Sequence, residues 1–222
     1  MALPTSQPPS VLAPQPHPYH YWQSKNITQR VIDFAVPLGL FLLLFYFYNH
    51  LKISPSEMIK TTGLLSITLL GVTLIIGPLS AIFTFANLAR AHRKFWGITS
   101  ALIGLVHVVL VTIYYYKFNF APFLNFSSPK YPGLLSGIIA LLLLLIITFT
   151  SNQKSIRMLS PRVWKAVQTA SYLALFLSLT HFYLMESTNG VLIIKRLAGK
   201  IVFGFSAAVI LARIAIIFLP KK

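Results

Sequence analysis

The chain has 222 residues, of which 56% are hydrophobic and only 10% are charged, and its mean hydropathy is +0.73. A soluble domain normally has about 25% charged residues, so this composition excludes an ordinary globular protein and indicates one embedded in lipid. The net charge of +16 arises from 19 Lys and Arg against three acids. The basic residues are dispersed over short loops and helix ends, which is typical of membrane topology and of contact with membrane lipid, and which argues against nucleic-acid binding. The absence of cysteine excludes disulfides, iron–sulfur clusters and cysteine nucleophiles.

A polar segment at the start of the chain is followed by six apolar runs. Residues 1–28 include six prolines within the first 18 positions, and we expect a disordered, Pro-rich cytoplasmic tail. Each apolar run approaches the ~20 residues that a membrane-spanning helix needs. The sequence therefore predicts an all-α, polytopic membrane bundle of about six transmembrane helices within a domain of residues 29–222, with no soluble domain and no internal repeat. The predicted spans cover about 31–51, 63–83, 95–116, 133–151, 165–185 and 200–219.

The basic residues also predict the orientation of the bundle. With the N-terminus inside, eleven Lys and Arg, including both dense clusters, lie on the cytoplasmic side, and seven lie on the opposite side. An excess of basic residues marks the cytoplasmic side of a membrane protein. We therefore expect an integral protein of the plasma (inner) membrane whose N-terminus and C-terminus are both cytoplasmic.

Two histidines inside the predicted spans are the strongest candidates for a functional site, because ionisable residues are costly within a membrane. His107 lies 13 residues after Lys94, and His181 lies 16 residues after Lys165, which places them roughly 19 Å and 24 Å along two parallel spans. Histidines at a similar depth on parallel helices can bind a haem iron from opposite faces within an apolar bundle. The alternative is that each histidine only forms an interhelical hydrogen bond.

The other ionisable residues near the spans have simpler interpretations. Arg213 is close enough to Lys221 for its side chain to reach the cytoplasmic face. We expect His50 and His92 to be interfacial and solvated, and Asp33, near Arg30, to be a capping or pairing acid at the start of a helix.

Two stretches of the chain carry motifs that resemble a known family. The first runs from the end of span two through span three, and the second from the end of span four through span five. Together, over residues 60–215, they resemble the ferric-reductase-like transmembrane domain superfamily, and within it the bacterial haem-binding membrane subunit of the periplasmic methionine sulfoxide reductase system. The matching positions are Gly77-Pro78-Leu79, Arg93-Lys94, Trp96-Gly97 and His107 in the first stretch, and Thr150-Ser151, Leu159, Trp164, Tyr172 and His181 in the second.

The resemblance implies a transmembrane b-type cytochrome. Two-haem members of the family have two histidines on each of spans three and five, whereas this chain has Arg93 and Gln168 at the inner positions. It therefore implies one haem b bound by His107 and His181, which are its cofactor and metal ligands, and an electron-transfer role in an oxidoreductase system. Electrons would pass to an extracytoplasmic acceptor from a separate donor, either a quinol or a flavoprotein, so that a quinone, or a flavin bound near Arg93 and Lys165, is a possible second cofactor.

Two other classes of function are compatible with the sequence. The chain could be a haem-free membrane subunit or scaffold protein with structural histidines. A small-solute transporter is a weaker alternative, because spans two and three have few polar groups that could line a pathway and no repeat supports alternating access. We also expect no oxidation of NADPH by the chain alone, because no loop is long enough for the ~30-residue βαβ unit of a nicotinamide-binding site.

Overall fold

The chain folds into a bundle of α-helices, as the sequence predicts. A computed structural model describes residues 26–49, 51–188 and 191–218, so that most of the predicted tail and His50 lie outside the described residues. The α-helices are α1 (Ile27–Asn49), α2 (Pro55–Ile82), α3 (Arg93–Leu110), α4 (Ala121–Leu124), α5 (Tyr131–Thr150), α6 (Gln153–Met158), α7 (Pro161–Thr169), α8 (Ser171–Glu186) and α9 (Leu197–Phe218). A 3₁₀ helix (Thr84–His92) precedes α3, and a π-helical turn (Val111–Tyr115) follows α3. Two short strands, β1 (Ser187–Thr188) and β2 (Val191–Leu192), pair antiparallel.

Five helical segments within the described ranges are long and apolar enough to cross a membrane, which confirms a polytopic membrane protein. They are Ile27–Tyr48, Pro55–Ile82, Thr84–Tyr115, Tyr131–Thr150 and Leu197–Phe218. The remaining predicted span, about 165–185, differs from the prediction because it is divided at Ala170 into α7 and α8. Helix α8 alone has 16 residues, fewer than the ~20 that span a bilayer unaided.

Helix α2 begins eight residues before the start predicted from hydropathy. The hydroxyl of Ser54 accepts a hydrogen bond from the backbone N–H of Glu57 at 3.3 Å, and Pro55 occupies the first helical position. Both features start a helix, because the hydroxyl satisfies a free N–H and proline has none to leave free. The first turns of α2 are polar, so a search for apolar runs does not detect them. The capping residues define the start of this helix.

Helix α2 is the central helix of the bundle. In its most apolar window 61% of the residues are buried, against 17–28% in the other four spans, and it contacts α1, α3, α8 and α9. It is joined to α3 by a reciprocal pair of hydrogen bonds, in which Ser66 Oγ donates to Ser100 O at 2.9 Å and Ser100 Oγ donates to Ser66 O at 2.8 Å. Small polar residues of this kind allow close helix contact and satisfy each other in an apolar setting.

Prolines inside α1 and α2 each free a backbone carbonyl, and an aromatic side chain satisfies it. Pro37 has no N–H for the carbonyl of Asp33, and Trp96 Nε1 donates to that oxygen at 3.2 Å. Pro78 likewise frees the carbonyl of Leu74, to which the hydroxyl of Tyr172 donates at 2.9 Å. Because lipid offers no replacement donor, these two bonds fix the positions of α3 and α8 against α1 and α2.

The role of Trp96 can be tested with a double-mutant cycle. We expect Trp96→Phe to lower the free energy of unfolding by about 1 kcal/mol through the lost hydrogen bond, in addition to a packing cost. In a Pro37→Ala background the backbone N–H of residue 37 can donate to Asp33 O. Trp96→Phe should therefore lower the free energy of unfolding by less in that background. Unfolding in detergent measures both values.

Trp164→Phe is the matched control, because Trp164 Nε1 donates to Thr150 O at 3.3 Å, far from Pro37. Trp164→Phe should lower the free energy of unfolding by the same amount with and without Pro37. An equal cost of Trp96→Phe with and without Pro37 would contradict the assignment.

Candidate functional site

The rings of His107 on α3 and His181 on α8 face each other across the bundle. Their centroids are 6.4 Å apart and their planes are inclined by 81°. Both side chains are half-buried. The two histidines that the sequence placed at a similar depth are therefore brought together by the fold.

Each imidazole is fixed by a hydrogen bond to a backbone carbonyl of the neighbouring helix. His107 Nδ1 donates to Ile59 O on α2, and His181 Nδ1 donates to Gly133 O on α5, both at 2.8 Å. A carbonyl can only accept, so the neutral ring carries its proton on Nδ1 and has the lone pair on Nε2. This is the arrangement in which metal-binding histidines are oriented by a second-shell acceptor.

The spacing of the two rings matches that of two axial ligands. A metal lies about 2 Å from a ligating imidazole nitrogen and hence about 3 Å from the ring centre, so rings on opposite sides of one metal have centres about 6 Å apart. No group of three or more His, Cys, Asp or Glu within the described ranges could hold a bare ion. His107 and His181 could together hold a metal that brings further ligands of its own, such as haem iron.

Two glycines make room for the histidines. A Cβ added to Gly63 would lie 3.1 Å from the His107 ring, and one added to Gly137 would lie 2.6 Å from His181 Nδ1. Real Cβ contacts below 3.0 Å are essentially absent, so any larger residue at Gly137 must displace the ring. Each glycine lies one helical turn after the carbonyl that anchors its histidine.

The two histidines occupy equivalent places in two similar helix pairs, α2–α3 and α5–α8. The anchoring carbonyl precedes its histidine by 48 residues in both pairs, and the glycine precedes it by 44 residues, from Gly63 to His107 and from Gly137 to His181. The two histidines are therefore held in the same way, although the sequence of the two helix pairs shows no convincing internal repeat.

The same correspondence extends to the end of the bundle where α3 and α8 begin, which we call the arginine end because Arg93 and Arg213 lie there. Arg93 Nε donates to Thr73 O at 3.1 Å, and Gln168 Nε2 approaches Ile147 O at 3.5 Å. Thr73 and Ile147 each follow an anchoring carbonyl, of Ile59 and Gly133, by 14 residues. The carbonyls of Thr73 and Ile147 thus occupy corresponding positions, but Arg93 and Gln168, which contact them, offer no haem ligand.

The prediction that His92 is solvated is wrong. His92 is buried, with 6% of its surface exposed, and its Nδ1 lies 2.8 Å from Asp33 Oδ1 on α1. Its ring stacks on Trp96 at 5.2 Å. Asp33, expected to be a capping or pairing acid, is buried with 3% exposed and pairs with His92. Sequence patterns do not indicate this pair, because 59 residues separate its members.

Arg213 does not simply extend into solvent. Its guanidinium lies 5.1 Å from the centre of the Tyr172 ring, and the side chain is half-buried. The contact is a cation–π interaction between α9 and α8. Tyr172 also adjoins Gly77, and a Cβ added to Gly77 would lie 4.0 Å from Arg93 Nη1. Arg93, Tyr172 and Arg213 therefore form one cluster.

The opposite end of the bundle is held by two basic residues. Arg196 forms a bidentate pair with Glu57 at 2.5 and 2.8 Å and lies over the Tyr48 ring, and the hydrogen bond to Glu57 raises the pKa of Arg196. Lys130 Nζ donates to the carbonyls of Leu184, Met185 and Ser187 at the end of α8. These contacts fix the starts of α2 and α5, which carry the carbonyls that anchor the histidines.

A family comparison agrees with this architecture. The family described as "Ferric reductase like transmembrane component" matches residues 62–179, which is just over half of the chain. The chain belongs to this family and is an integral membrane protein of the kind that transfers electrons across a membrane. The match includes Gly63, His107 and Gly137 and ends two residues before His181. No curated protein matches the chain.

Proposed function

We propose that the protein is a membrane cytochrome that binds one b-type haem between His107 and His181. One observation carries the proposal, namely that two facing imidazoles, each with Nδ1 bonded to a backbone carbonyl, have centres 6.4 Å apart. Membership of a family of transmembrane electron-transfer components supports it. Haem ligation requires a lone pair on an oriented imidazole nitrogen and apolar surroundings, and the Nδ1 bonds leave that lone pair on Nε2 of each ring.

The residues of the chain would position the cofactor and limit its chemistry. Haem would supply a one-electron redox centre held by His107 and His181, and with both histidines as its ligands it would favour electron transfer over oxygen binding. The carbonyls of Ile59 and Gly133 orient the rings and increase the basicity of Nε2 through the Nδ1–H bonds.

The electron donor would be a quinol or a separate flavoprotein, and the acceptor an extracytoplasmic partner. Arg93 precedes His107 by 14 residues on α3, or roughly 21 Å along the helix, and Arg93 and Gln168 offer no ligand for a second haem at the arginine end. A donor must therefore approach the histidine pair from within the bilayer or bind at the arginine end. The alternative function, a haem-free subunit or scaffold, is favoured only by the fact that both Nδ1 hydrogen bonds could serve packing alone.

Haem content tests the proposal directly. We expect the purified full-length protein to show a bis-imidazole b-type spectrum and a pyridine-haemochrome assay to give one haem per chain. The physical reason is that one pair of facing imidazoles exists among the described residues. A colourless protein, after expression with sufficient haem, would support the scaffold function, and two haems per chain would show that another residue ligates.

The proposed orientation places both termini on the cytoplasmic side of the plasma membrane. A reporter that is active only in the cytoplasm should be active when fused after Lys222, since five spans and the α7–α8 segment return the chain to the side on which it began. The same reporter inserted after Lys117, between α3 and α5, is the control and should be inactive. The reverse pattern would contradict the assignment from basic residues.

A further inference from the structure

The arginine end contains two half-buried cations, Arg93 and Arg213, that no ion pair of the described residues neutralises. Both lie beside Tyr172, Arg213 over its ring and Arg93 next to Gly77, which the Tyr172 hydroxyl adjoins. The ion pairs within the described ranges join Asp33 to His92 and Glu57 to Arg196. The third acid of the chain, Glu186, ends α8 at the opposite end of the bundle.

Most of the hydrogen-bonding capacity of these arginines remains available. A guanidinium has five N–H groups, and Arg93 uses Nε for the bond to Thr73 O. Arg213 contacts the face of Tyr172, and such a cation–π contact does not use its N–H groups. Two like charges gathered beside one aromatic ring, in an apolar setting, are costly unless an anion joins them.

The position of the cluster matches the level of lipid headgroups. Arg93 is the first residue of α3, and its side chain reaches Thr73 O on α2. Arg213 precedes the end of α9 by only five residues. The guanidinium groups are therefore near the boundary between acyl chains and headgroups, where basic pockets between helices bind anionic lipids.

We propose that Arg93 and Arg213 form a binding site for one phosphate group, supplied by the headgroup of an anionic phospholipid. Guanidinium groups recognise phosphate oxygens through paired N–H donors, and Arg213 lies over the Tyr172 ring at 5.1 Å. Arg93 is close to the same tyrosine, because a Cβ added to Gly77 would lie 3.2 Å from the Tyr172 hydroxyl and 4.0 Å from Arg93 Nη1. The site is independent of the haem proposal, because it shares no residue with the histidine pair.

Native mass spectrometry of the full chain in detergent tests the site. Phosphatidylglycerol is titrated in one arm, and inorganic phosphate in the other, with phosphatidylcholine as the zwitterionic comparison. For the wild type we expect one phosphatidylglycerol bound in preference to phosphatidylcholine. Arg213→Gln should weaken that binding at least about tenfold through the loss of a charge-assisted contact, and Arg93→Lys should weaken it less, because a point charge remains.

The matched controls are Arg157→Gln and Arg162→Gln, which remove one charge each from exposed positions at the same end of the bundle. They should leave the binding of phosphatidylglycerol unchanged. Arg213→Gln is the safer of the two site variants for folding, because Arg93 also holds a backbone carbonyl, and thermal unfolding of each variant verifies the fold. Binding of inorganic phosphate that depends on Arg213 would support the phosphate site and assign it a soluble source. Equal binding by wild type and Arg213→Gln in both arms would overturn the proposal.

Discussion

Replacement of His107 or His181 by alanine is expected to abolish haem binding. Each substitution removes one of two protein ligands, and loss even of an outer-shell partner typically costs 10- to 100-fold in metal affinity, so loss of a ligand should cost at least that much. The ratio of haem to folded protein, from the pyridine haemochrome and a protein assay after size-exclusion chromatography, measures the effect. Addition of free imidazole, which can occupy the vacated position, should restore part of the bis-imidazole spectrum.

His92→Ala provides the control for this prediction. His92 is buried like the candidate ligands, but it bonds to Asp33 and stacks on Trp96. Its loss removes the bond to the buried Asp33 carboxylate and should lower stability, whereas the haem content of the folded fraction should stay near that of the wild type. Full haem retention in either His107→Ala or His181→Ala would exclude that residue as a ligand.

Gly137→Ala is expected to have nearly as large an effect without altering a ligand. The added Cβ would lie 2.6 Å from His181 Nδ1, so the ring must move and its bond to Gly133 O must break. Because the bond fixes both the tautomer and the direction of Nε2, we expect haem affinity to fall about 10- to 100-fold. Gly63→Ala, with a contact of 3.1 Å to His107, should have the same effect in weaker form.

Gly204→Ala and Gly39→Ala are the matched controls, because an added Cβ at either position meets nothing within 4 Å. Alanine also favours the helix over glycine by about 1 kcal/mol at these positions, so they should bind haem normally and be slightly more stable. Titration of the apoprotein with haem gives the affinities. Unchanged affinity in Gly137→Ala would mean that His181 does not need its observed orientation, which would favour a purely structural histidine.

Local patterns in the sequence determined the class of protein and its central histidines. The apolar runs around α2, α5 and α9 are long enough to require lipid, and helical rise alone placed His107 and His181 at a similar depth. These properties depend on neighbours along one helix, so no knowledge of packing was needed. Hydropathy was less accurate at helix ends, where Ser54 and Pro55 extend α2 beyond its apolar run, and at Ala170, where the predicted span is divided.

Only the tertiary structure decided which groups from different helices meet. The anchoring bonds of the two histidines join residues 48 positions apart, and the burial of His92 against Asp33 depends on how α1 packs beside α3. Tyr172 can satisfy the carbonyl freed by Pro78 and contact Arg213 only because α8 packs against both α2 and α9. Helical periodicity specifies which residues share a face, but the rotation and pairing of helices depend on the mutual satisfaction of polar groups in lipid, which is a property of the whole bundle.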